Sequence, residues 1–180
     1  MKVKSISHSG LTVSDFEKAV RWYHERFGFL LVSEEILEPA ATKALFPLYK
    51  VEGAKVRMGF LRAPGGSVLE IFQFQPALSR GAAGNHPTWN APGFTHFALN
   101  VSGLAGWVKR LEAENVEFVT KPSKTGKVDW VFLKDPDGNL VELIDLKAAR
   151  LALKYLGQIL GTALKRGKFA TYYAPKRPRA

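Results

Sequence analysis

This 180-residue chain carries an internal repeat, and a duplicated unit dictates both the number of its elements and their succession. Ile6 to Ser14 (ISHSGLTVS) aligns with Phe94 to Ser102 (FTHFALNVS) at an offset of 88, pairing His8 with His96 and Val13 with Val101. Phe60 to Ile71 (FLRAPGGSVLEI) aligns with Phe132 to Leu143 (FLKDPDGNLVEL) at an offset of 72, pairing Glu70 with Glu142. The offsets differ by 16, which places extra residues in the first copy, near 37–53. Each copy reads as β-α-β-β-β. Strands are expected at 5–12, 29–36, 55–62 and 67–75, then at 94–101, 117–121, 128–134 and 139–146. Ser14-Asp15-Phe16-Glu17 has the form of a capping box, and Gly28 stands where the first helix must stop. Leu104, Trp107, Val108 and Leu111 give the second helix its apolar stripe. Pro64-Gly65-Gly66 and Pro136-Asp137-Gly138 supply hairpin turns. The chain therefore divides into a first module (1–90), a second module (91–146) and a C-terminal amphipathic helix with a basic tail (147–180).

Charge follows the same division. The net charge is +10, but residues 1–146 carry 17 Lys and Arg against 16 Asp and Glu. Residues 147–180 carry nine basic residues and no acid. A nearly neutral body excludes a nucleic-acid partner for the repeat and assigns the basic character to an appendage. No run of 18 apolar residues and no signal-peptide core is present, and cysteine is absent, which matches a cytoplasmic protein without disulfides or thiolate metal sites.

Side chains alternate between the two faces of a strand. Glu70 and Glu142 interrupt otherwise apolar strands, where an unpaired carboxylate would cost several kcal/mol. Packing of the repeats about a pseudo-twofold axis would bring both His–Glu pairs to one point, where a divalent cation would satisfy His8, Glu70, His96 and Glu142 together. Two imidazoles and two carboxylates suit Zn, Ni, Co, Mn or Fe and leave positions open for substrate oxygens. A closed structural zinc site, or two core histidines with glutamates on the outer face, are the other arrangements these residues allow.

The His-bearing first strand, the helix after it and the ending DPDGNLVELIDL together resemble the vicinal oxygen chelate superfamily, also called the glyoxalase/bleomycin-resistance/dioxygenase fold, over residues 5–146. The resemblance implies an α+β fold of two paired β-α-β-β-β modules forming a cup-shaped, eight-stranded mixed sheet around one metal ion. It implies that His8, Glu70, His96 and Glu142 are the four ligand positions. A filled His-Glu-His-Glu set is most similar to the metal-dependent glyoxalase I and epimerase branch, in which a proton moves next to a carbonyl through a metal-bound enediolate. Glu142 and Glu70 are then the catalytic carboxylates, one on each side of the substrate carbon. Extradiol-type ring cleavage and non-catalytic binding or resistance are the alternatives within the same fold. Thr12 stands where glyoxalase I has an Arg, and Phe74 where it has an Asn, so two polar contacts for glutathione are replaced.

Strand parity places Thr12, Phe72, Phe74, Asn100 and Ile144 on the ligand faces, with Met58 and Trp130 at matching positions on neighbouring strands, as a pocket for a small-molecule substrate. The insertion, with Phe46 and Tyr49, is either a lid or a surface excursion. His24 and His86 read as surface residues. In the tail, Leu153, Leu156, Leu160 and Leu164 form a helical stripe apart from most of the basic residues. That stripe can pack on the chain's own body, on a sister subunit of the homodimer the superfamily resemblance implies, or on an anionic membrane surface, the least ordinary of the three.

Overall fold

The computed structural model describes residues 3–77, 89–90 and 92–174. Eight strands form two four-stranded mixed sheets. The first holds β1 (His8–Thr12), β2 (Leu30–Leu37), β3 (Lys55–Arg62) and β4 (Val68–Gln75) in the order β1-β4-β3-β2. The second holds β5 (Phe97–Asn100), β6 (Ser123–Thr125), β7 (Val128–Lys134) and β8 (Leu140–Asp145) in the equivalent order β5-β8-β7-β6. In each, the first and last strands of the module pair in parallel, which the helix between the first two strands makes possible.

That helix is α1 (Phe16–Phe27) in the first module. The insertion follows as two short helices, α2 (Pro39–Lys43) and α3 (Phe46–Tyr49). The helix of the second module is α4 (Leu104–Ala113). Asp15, not Ser14, caps α1, its carboxylate accepting from the Lys18 amide at 2.8 Å, while the Ser14 amide donates to Asp137 of the other module at 3.1 Å. Gly28 ends the helix at φ 71°, in the left-handed conformation that glycine adopts without strain.

One core joins the modules. Phe16, Tyr23 and Phe27 of α1, Leu61, Leu69 and Ile71 of the first sheet, Leu104 and Leu111 of α4, and Val131, Leu133, Val141 and Leu143 of the second sheet form a single buried cluster. Phe27 stacks on Trp107 at 5.8 Å, so the two helices meet inside it. The buried Tyr23 hydroxyl donates across the modules to Asp135 at 3.0 Å. Because the core residues of each sheet alternate with Glu70, Phe72, Glu142 and Ile144, the faces bearing the glutamates lie on the sides of the sheets away from this core.

Two local expectations change. Residues 117–121 make only an isolated bridge, Phe118 to Leu133, before Pro122 interrupts the donors. A short strand instead forms at Ser123–Thr125, turning back into β7 at Gly126. The strands expected from residues 5 and 94 begin at His8 and Phe97. After β8 the chain continues as α5 (Ala148–Leu151), one π-helical turn (Ala152–Leu156), α6 (Gly157–Arg166) and α7 (Ala170–Tyr173). Among the described residues no helix is long and apolar enough to cross a membrane. His86 and the end of the tail lie outside the described residues.

Candidate active site

The parallel pairing sets Gly10 opposite Glu70 and Ala98 opposite Glu142. A small residue at that point leaves space for the neighbouring histidine to reach across. His8 Nε2 lies 3.0 Å from Glu70 Oε2, and His96 Nε2 lies 3.2 Å from Glu142 Oε2. Both glutamate side chains are 13% exposed, open to ligand yet largely desolvated. The Nδ1 of each ring faces a hydroxyl from the preceding residue, Ser7 at 3.2 Å and Thr95 at 2.9 Å, which orients Nε2 toward the carboxylate. A phenylalanine opposite each glutamate in register packs on each imidazole. Phe60 lies 5.8 Å from His8, and Phe132 lies 5.0 Å from His96.

The structure thus builds two equivalent His–Glu pairs, one per sheet. Among the described residues it gathers no group of three or more His, Asp or Glu side chains within a metal's reach. The pocket residues divide in the same way. Thr12, Phe72 and Phe74 line a cavity of about 830 Å³ together with Leu48, Tyr49 and Val51 of the insertion. Met58 pairs with Phe72 on the same face. Asn100, Trp130 and Ile144 sit together on the second sheet, Asn100 and Trp130 each in register with Ile144, and are not part of that cavity wall. The Trp130 indole donates to Thr125 at 3.0 Å.

Four aromatic neighbours add to the residues singled out by parity. Tyr49 closes edge-on against Phe74 at 5.2 Å and Phe72 at 6.5 Å, so the insertion covers part of the first sheet's Glu70-bearing face. Burial, and then the nearby Glu70 charge, hold its hydroxyl above the ordinary tyrosine value. Trp89 stacks on His96 at 5.2 Å and 19°. Nothing in strand parity marks it, because it precedes the strand. Phe60 and Phe132 were detectable, since the repeat alignment pairs them. His24 instead donates from Nδ1 to the Phe29 carbonyl, 2.8 Å away, and serves the end of α1.

Residues 5–143 match the family model of the Glyoxalase/Bleomycin resistance protein/Dioxygenase superfamily. The chain belongs to this superfamily. Among its relatives, a lactoylglutathione lyase of Pseudomonas putida is 30% identical over 146 residues, covering 77% of this chain and 83% of the relative. The lactoylglutathione lyase of Schizosaccharomyces pombe is 26% identical over 146 residues, covering 80% of this chain but 48% of the relative, so the chain spans about half the length of that protein. The superfamily fold is shared with a glyoxalase family protein of Bacillus cereus, at a TM-score of 0.67 and 18% identity over 81% of this chain and 95% of that one. The basic C-terminal segment lies beyond the superfamily match.

Proposed function

We propose that this protein is a metal-dependent isomerase, epimerase or glyoxalase-type lyase that moves a proton on and off a carbon beside a carbonyl, on a small molecule. The observation that carries the reading is the repetition, on two sheets, of a His–Glu pair at 3.0 and 3.2 Å with a hydroxyl of the preceding residue, Ser7 or Thr95, behind each imidazole. The donor set fits a divalent ion of the zinc, nickel, cobalt, manganese or iron type: imidazole nitrogens oriented from behind, and largely desolvated carboxylates that need a compensating cation. His8, Glu70, His96 and Glu142 would hold it. When bound, such an ion polarises the carbonyl and stabilises the charge that develops on its oxygen.

The chain's own residues supply the proton chemistry. Glu142 removes the proton from the carbon through a carboxylate oxygen and, in an isomerase or lyase, returns it to the adjoining carbon; where the product is an epimer, one of Glu142 and Glu70 removes the proton and the other, protonated, delivers one to the opposite face of the same carbon. Thr12, Phe72, Phe74 and Tyr49 enclose the substrate's remote end and exclude water, while Met58, Asn100, Trp130 and Ile144 border the carboxylates. The ligand faces turn away from the shared core, and this supports a homodimer in which one copy's first module faces the other's second module. Each of the two sites would then draw one His–Glu pair from each subunit.

Two measurements test the reading. Purified protein should hold close to one divalent ion per chain, and His96→Ala or Glu142→Ala should remove it. Stoichiometric metal in Glu142→Ala would overturn the ligand assignment. With α-hydroxycarbonyl candidates in heavy water, metal-dependent deuterium uptake at carbon is expected. Oxygen consumption with catechols and no such uptake would identify ring cleavage instead, and ligand binding indifferent to chelator would identify a sequestering protein.

A further inference from the structure

Beyond Leu146 the chain is helical from Ala148 to Arg166, about 28 Å at the usual rise, and none of its described residues is buried. Leu153, Leu156, Ile159, Leu160 and Leu164 recur at helical spacing along it, between 39% and 68% exposed. The body of the chain leaves this apolar face uncovered. The start of the segment is nevertheless fixed, because Lys147 pairs with Asp129 at 2.5 Å and its amide donates to Asp145 at 3.1 Å. Among the described residues, no ion pair reaches a basic side chain after Lys147.

We propose that this segment lays its helix on an anionic lipid surface, apolar side chains down and basic side chains toward the headgroups. Residues 147–180 carry nine basic residues and no acid, so both charge sign and apolar face match a layer of anionic headgroups over hydrocarbon. The aromatic residues add to the match. Lys154 lies over the Tyr155 ring at 5.1 Å, Lys165 over Tyr173 at 5.0 Å and Lys168 over Phe169 at 5.6 Å. Tyrosines with an apolar body and a polar tip, bordered by cations, suit the boundary between headgroup and acyl chain.

A second copy fits less well. Two such helices face to face would bring together two segments of charge +9. Other acidic groups offer little relief. Glu34 and Glu38 of the exposed edge around β2 are already paired with Arg57 and Lys55, both at 2.7 Å. The 17 basic and 16 acidic residues of 1–146 otherwise nearly cancel.

The test is sedimentation of the full chain with vesicles of phosphatidylcholine alone, or with about 30 mol % phosphatidylglycerol. Binding is expected to the anionic vesicles only, at least about tenfold weaker in about 0.5 M salt. Leu156→Asp/Leu160→Asp and Lys154→Gln/Lys165→Gln should each weaken it by about tenfold, with the protein's size and metal content unchanged. Absence of binding to the anionic vesicles would overturn the proposal. So would undiminished binding by Leu156→Asp/Leu160→Asp, which would mean charge alone. A shift of that variant to a smaller species in solution would assign the face to a second copy.

Discussion

In the first module the histidine of the pair is 39% exposed beside a cavity roofed by Tyr49, whereas in the second it is 25% exposed under the Trp89 indole. The two modules agree in the hydroxyl, imidazole, carboxylate and phenylalanine of the site and in the hairpin after it. Gly66 donates to Ala63, and Gly138 to Asp135, through the same backbone bond at 2.9 and 3.0 Å. They differ where they pack. Gly59, aligned with Val131, has no room for a side chain, because a Cβ there would stand 2.7 Å from the Ser33 carbonyl and 2.8 Å from the Phe16 ring. Asp135, aligned with Ala63, instead gathers the Tyr23 hydroxyl, the amides of Asp137 and Asn139 and the Asn139 side chain. The duplicated parts are the His–Glu pairs and their neighbours, and the diverged parts join the modules or cover the cavity.

The largest effect should come from the carboxylates. Glu142→Ala and Glu70→Ala are each expected to lower turnover by about 10²- to 10⁴-fold. Full activity in Glu70→Ala alone would break the equivalence of the modules and leave a single-carboxylate mechanism, as steady-state kinetics would reveal. Next, Tyr23→Phe should destabilise the protein by about 1–3 kcal/mol in thermal or urea denaturation, since Asp135 loses a buried donor. Burial, and then the Asp135 charge, push the Tyr23 hydroxyl well above the ordinary tyrosine value. The fold therefore favours the protonated phenol. This contribution is intact below about pH 10 and is lost as pH rises through the folded value, so Tyr23→Phe should flatten the alkaline limb of a stability profile.

Gly59→Ala should cost about 1–3 kcal/mol by overpacking, measured the same way. A neutral result would mean that β2 can shift and that the first module is looser than the second. The smallest change is expected from Tyr49→Ala, which removes two ring contacts worth about 1 kcal/mol together. It should raise KM a few-fold while metal content stays unchanged. No change in KM would reduce α2 and α3 to a surface excursion.

The repeat made the β-α-β-β-β succession, the turns and both His–Glu pairs legible, because alternation and equivalent spacing are local properties of a chain. It also carried Phe60 and Phe132. What it did not carry arises from contacts between modules. Asp15 takes the capping role expected of Ser14, and the Ser14 amide bonds instead to Asp137, a residue 123 positions away. Thr12 and Asn100 hold equivalent places on their strands, yet only Thr12 faces the cavity under the insertion, since the modules pack through a shared core and each glutamate-bearing face turns away from it. Trp89 reaches His96 from outside any strand, where parity says nothing.

Under the proposed function, four residues, two from each module, hold one metal ion between two copies of the chain. Complementation measures this directly. A copy with His8→Ala and Glu70→Ala is co-expressed with a differently tagged copy bearing His96→Ala and Glu142→Ala, and metal is counted in the doubly purified heterodimer. Each variant alone should be metal-free, and the heterodimer should hold one ion, in the site that combines the two unaltered pairs. A heterodimer that forms and stays metal-free, while the unaltered protein holds one ion per chain, would contradict a site shared between subunits.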